Sequence, residues 1–154
     1  MVITESVIDF PSVEWFDFLC DHAKEEPEIY ESLGFAFFKL AVELVDEGGG
    51  VQAYGIVFDG YDVISFGDVT GYGNFQPDAI ISGPLGVWKE MVYNISANGR
   101  ADNAHTLNAL SIAEVPFQVR ADDPLGKDKF FRYAETLQTI FDATSRDGDG
   151  IVII

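Results

Sequence analysis

Positive charge is scarce in this chain. Nine lysines and arginines stand against 26 aspartates and glutamates, a formal net charge of -17 over 154 residues. A field of that sign repels phosphate backbones and anionic bilayers, which excludes nucleic acid as a partner and argues against stable membrane insertion. The acidity is uneven: residues 1–78 carry sixteen carboxylates against Lys24 and Lys39 alone, so the first half presents a self-repelling face that could also serve for docking. Cysteine is nearly absent. Cys20 stands alone among Phe18, Leu19 and Ala23, which excludes an internal disulfide and marks the thiol as a small buried hydrophobe. The two histidines, His22 and His105, have no metal-ligand spacing to each other or to a cysteine, so no metal is expected. No apolar run approaches the roughly 18 residues of a spanning helix. The opening MVITESVIDF lacks the basic region and apolar core of a signal peptide, and the expected location is cytoplasmic.

Catalytic and cofactor motifs are missing as well. Gly67–Gly73 is rich in glycine but has neither the phosphate-binding lysine nor the dinucleotide spacing, and reads as a turn. Asp147-Gly148-Asp149-Gly150 resembles part of a calcium loop without its distal glutamate. No cofactor is therefore expected. What the chain has in excess is apolar and aromatic side chains: 47% hydrophobic and 14% aromatic residues, with 13 Phe. A disordered chain would be poor in these. The surplus over what a core of this size needs suggests a lined pocket.

The most structured stretch is Asp78–Asn98. Ala79-Ile80-Ile81 has the length and branching of a buried strand, Ser82-Gly83-Pro84 turns it, and Leu85, Trp88, Val92 and Ile95, with Met91 beside them, recur on one helical face before Asn98-Gly99 stops it. These side chains either fill a core or line a hole in it. Upstream, Ser12 caps a helix expected to run to about Lys24. Pro27 opens a second expected helix, on which Ile29, Leu33, Phe37, Leu40 and Leu44 form one row and Tyr30, Gly34, Phe38, Ala41 and Val45 the next, backed by Glu28, Glu31, Lys39 and Glu43. Val51–Phe58 and Tyr61–Gly67 flank Asp59-Gly60, a strong hairpin signal, and a short third strand is expected around Val69–Tyr72. Downstream come a short helix near Thr106–Ile112 and a strand over Val115–Ala121 whose Pro116 suits an edge. Asp122-Asp123-Pro124 then starts a closing helix striped by Phe130, Tyr133 or Ala134, Leu137, and Ile140 or Phe141. The apolar Ile151–Ile154 must pair or bury.

Four of the nine cations, Arg120, Lys127, Lys129 and Arg132, cluster at the start of that last helix. They could form an anion site for a carboxylate or phosphate, or simply pair with Asp122, Asp123 and Asp128.

The order of these pieces, with Pro77-Asp78-Ala79-Ile80-Ile81 feeding a helix and Val115–Asp123 feeding a last helix, resembles the sterol carrier protein type 2 family over roughly residues 29–143. The resemblance implies an α+β fold: a sheet of about five strands covered on one face by helices, with an apolar cavity between sheet and helices. It implies a soluble carrier of fatty acid, acyl-CoA or sterol-like ligands. The expected organisation is one domain, with an N-terminal helical extension over 1–28, a core over 29–143 and a tail over 144–154. The expected ligand contacts are Leu85, Trp88, Met91, Val92, Ile95, Phe130, Phe131 and Leu137, with Arg120 and Arg132 for an acidic head. One competing reading is a small α+β enzyme acting on a hydrophobic substrate, with His105, Asp78 or Tyr93 as acid or base. Another is an accessory partner of an acyl-CoA enzyme.

Overall fold

The computed structural model describes residues 8–26, 28, 36–60, 62–111, 116–144 and 151–153. In chain order these form β1 (Ile8–Phe10), α1 (Val13–Glu25), β2 (Ala36–Val45), β3 (Val51–Gly60), β4 (Asp62–Asp68), β5 (Ala79–Pro84) and α2 (Leu85–Asn98). They continue with α3 (Leu107–Ser111), β6 (Gln118–Arg120), α4 (Pro124–Arg132), α5 (Ala134–Asp142) and β7 (Ile151–Ile153). The local signals act as expected at most boundaries. Ser12 accepts the Trp15 N–H at 3.1 Å to start α1, and Asp123 accepts the Leu125 N–H at 2.9 Å to start α4, with Pro124 at its first position. Gly99 ends α2 in the left-handed region, where glycine carries no Cβ penalty.

Five strands make one mixed sheet in the order β4-β3-β2-β5-β6. The hairpin at Asp59-Gly60 sets Asp59 opposite Asp62, β2 runs antiparallel to β3 and parallel to β5, and β6 closes the edge antiparallel to β5. The tail strand β7 pairs with β1 in a separate two-stranded ribbon, which meets the pairing requirement of its apolar residues.

Three expectations are corrected. Residues 36–45, expected as the second half of a helix, are the central strand β2; residues 29–35 of that expectation lie outside the described residues. The cause is burial on both faces. Phe38, Leu40, Val42 and Leu44 point to the helices, while Ala41 and Glu43 lie buried on the other face. A run apolar on both faces fits the helical and the strand period alike. No strand forms at Val69–Tyr72, because Gly71 (φ 81°), Tyr72 (φ 66°) and Gly73 (φ 51°) take the left-handed conformation in succession, which no strand accommodates. The closing helix is two helices, α4 and α5, broken at Tyr133 (φ -103°, ψ 11°).

The core sits between the helices and one face of the sheet. Cys20 is buried in it, and burial, reinforced by nearby Asp17, pushes its thiol up to about 12. The reactive species is the thiolate. A maleimide or iodoacetamide at pH 8 should therefore leave native Cys20 unlabelled and modify it fully in denaturant; labelling of the native protein at the rate of a free thiol would contradict this environment.

Candidate functional site

The candidate residues gather in two regions on opposite faces of β2. On the helix side, a continuous layer of rings runs through the interior. Trp88 of α2 stacks on Phe117 at 4.2 Å and meets Phe141 of α5 edge-on at 6.2 Å; Phe141 stacks on Trp15 of α1 at 5.6 Å, and Trp15 contacts Phe10 and Phe16 at 4.6 and 4.8 Å. The layer exists because β5 carries glycine at 83: a Cβ there would lie 2.1 Å from the Phe117 ring, so only glycine lets that ring lie against the strand. The Trp88 indole donates to the Glu43 carbonyl oxygen at 3.0 Å, which fixes α2 to β2.

On the other face, β2 carries Glu43, an acidic residue whose side chain is only 7% exposed. Its Oε1 accepts from Arg120 of β6 at 2.9 Å, and its Oε2 accepts from the Tyr72 hydroxyl. Burial, and then the bond to Glu43, raise the Tyr72 phenol above its usual range. The loop after β4 is stitched over this face, Val69 donating to the Ala53 carbonyl at 2.8 Å and Ala53 to Thr70 Oγ1 at 3.1 Å, with Val69 and Phe75 packed on Ala41 and Ala53. Beside that loop lies a cleft of about 820 Å³, lined by Tyr72, Phe75, Pro77, Asp78, Ile80, Arg120 and Asp122 among others.

The structure places the expected contact residues as follows. Trp88, Met91, Val92, Ile95, Phe130 and Leu137 are brought together in the buried core on the helix side, with Leu85 and Phe131 partly buried against it. Arg120 pairs with Glu43 rather than with the acidic turn, and Arg132 is exposed in the last turn of α4. The acid–base candidates have separate surroundings. Asp78 Oδ2 accepts the Lys39 N–H at 2.9 Å, His105 Nδ1 lies 2.6 Å from Asp102 Oδ1, and Tyr93 is 68% exposed. The bond to His105 holds the Asp102 carboxyl below its usual range. Among the described residues no group of three His, Cys, Asp or Glu side chains could hold a metal, and no helix is long and apolar enough to cross a membrane.

Sequence reasoning misses Glu43, Tyr72 and Trp15 as site residues. The only available signal for Glu43 is an acid inside an apolar run, and it fits the polar side of a helix equally well.

Solved structures share this architecture. A crystal structure of sterol carrier protein 2 aligns with a TM-score of 0.62 at 12% identity, covering 87% of this chain and 95% of that one. The solution structure of a conserved hypothetical protein from Thermus thermophilus aligns with a TM-score of 0.59 at 13% identity, covering 94% of each chain. The chain thus has the sterol carrier protein 2 fold, in agreement with the resemblance read from its motifs. No family model matches the sequence, and no curated protein matches it significantly.

Proposed function

We propose that this protein is a cytoplasmic carrier of a hydrophobic small molecule or lipid, held between helices and sheet without chemical change. The observation that carries this reading is the ring layer of Trp15, Trp88, Phe117 and Phe141, set in a fold shared with a protein named sterol carrier protein 2. An interior of large apolar surfaces held by few polar groups is what a lipid-sized ligand needs, since apolar contact supplies the affinity and one or two polar groups set the orientation. The proposed contacts are Leu85, Trp88, Met91, Val92 and Ile95 on α2, Phe130 and Phe131 on α4, and Leu137 on α5. An acidic head group would meet Arg132 more readily than Arg120, because Arg120 already commits one nitrogen to Glu43.

Incubation with fatty acids, acyl-CoA thioesters and sterols, followed by native mass spectrometry, should give a one-to-one complex with at least one class. Retention of none of them would count against carriage.

A further inference from the structure

The two tryptophans of the ring layer differ in one respect. The Trp88 indole N–H is satisfied by the Glu43 carbonyl oxygen at 3.0 Å. Among the described residues the Trp15 indole N–H has no partner, although Trp15 is only 1% exposed and is enclosed by Phe10, Phe16 and Phe141. His22 Nδ1 on α1 and Ser65 Oγ on β4, against which α1 packs, are likewise buried with no hydrogen-bond partner among those residues. Buried donors are nearly always paired in folded proteins, because leaving one unmade forfeits its hydration with nothing in return. A Phe at position 15 would keep the ring contacts without that cost, so the indole nitrogen itself calls for a role.

We propose that Trp15 Nε1 is the polar hook of the carrier site, donating to an oxygen of the bound molecule. This rests on the carriage reading above and narrows its ligand class. The Trp15 side chain is packed among aromatic rings, an environment in which a carboxylate would lose far more hydration than one N–H returns. A hydroxyl, ketone or ester oxygen loses much less. The ligand is therefore an apolar body with a neutral acceptor oxygen, and Trp15 selects it over both the bare hydrocarbon and the free acid.

The test uses decan-1-ol, decane and decanoate with the full chain at neutral pH. In wild type, decanol should bind about tenfold tighter than decane, the scale of one net hydrogen bond, and decanoate should bind more weakly than decanol. Trp15→Phe should bring decanol and decane to within about twofold of each other. In 15N-labelled wild type, saturating decanol should move the Trp15 indole N–H resonance and leave that of Trp88, already capped by Glu43, nearly in place. This second readout needs no variant, so it holds even if Trp15→Phe folds poorly. A Trp15 resonance unmoved at saturating decanol overturns the hook, as does a decanol preference that survives Trp15→Phe. If wild type retains none of the three probes, or retains all three equally, the hook falls, and carriage stands or falls separately on the retention of fatty acids, acyl-CoA thioesters and sterols.

Discussion

Gly126→Ala should lower the unfolding free energy by about 3 kcal/mol or more, a cost at or beyond the upper end for overpacked sites. Gly126 lies in the first turn of α4, where the helix rests on the start of β5. A Cβ added there would sit 1.9 Å from the Asp78 carbonyl oxygen and 2.9 Å from the Ala121 side chain. The obstacle is backbone, and that backbone is held: the Asp78 N–H donates to the Lys39 carbonyl oxygen at 2.8 Å, and the Asp78 carboxylate accepts the Lys39 N–H at 2.9 Å. The helix must therefore lift from the sheet, taking Phe130 out of the core. Gly86→Ala is the control. Gly86 is also in the first turn of a helix, α2, and a Cβ there meets nothing within 4 Å, so alanine should stabilise by up to about 1 kcal/mol through helix propensity and a less flexible unfolded chain. Urea unfolding of both variants checks the pair. Equal and small effects would mean that α4 docks loosely on β5.

The contrast between those two glycines also marks what a sequence can reveal. Gly86 and Gly126 both follow a proline at the head of an amphipathic segment, and only the docking distance of α4 separates them. The elements read correctly from sequence are those specified by their own residues: α1 by Ser12, the β3–β4 hairpin by Asp59-Gly60, the β5–α2 unit by its strand run and helical stripe, and the start of α4 by Asp123-Pro124. The turn expected at Ser82-Gly83-Pro84 is not there: these residues continue β5, paired with Glu43–Val45 of β2, up to the first residue of α2. The strand β2 is misread because its specification is not local. Its apolar side chains at 38, 40, 42 and 44 need the helices, its Ala41 needs Phe75 and Val69 from the far loop, and its hydrogen bonds need β3 and β5. The site follows the same division. Trp88 and its neighbours on α2 show a helical period, so their common face is legible. Glu43, Tyr72 and Arg120 meet only after β5 has been laid between β2 and β6 and the Val69–Pro77 loop has folded back. The unmet donor on Trp15 follows from packing that the sequence does not display.

The Glu43 network carries the second large effect, and it is asymmetric. Arg120→Ala should cost about 2 to 3 kcal/mol at pH 7.5, below the usual penalty for breaking a buried pair because the arginine side chain is itself 49% exposed. Glu43→Leu should cost less. Removing the arginine leaves a side chain that is 7% exposed with, among the described residues, the Tyr72 hydroxyl as its remaining partner, whereas removing the glutamate frees a guanidinium that can turn to water and puts apolar volume on an apolar face. Urea unfolding of the variants at pH 7.5 checks this. In the double variant Arg120→Ala with Glu43→Leu, most of the Arg120→Ala penalty should be gone, because no unpaired carboxylate is left under the loop. A double variant no more stable than Arg120→Ala would mean that Arg120 acts through its packing along β6 and not through the carboxylate it neutralises.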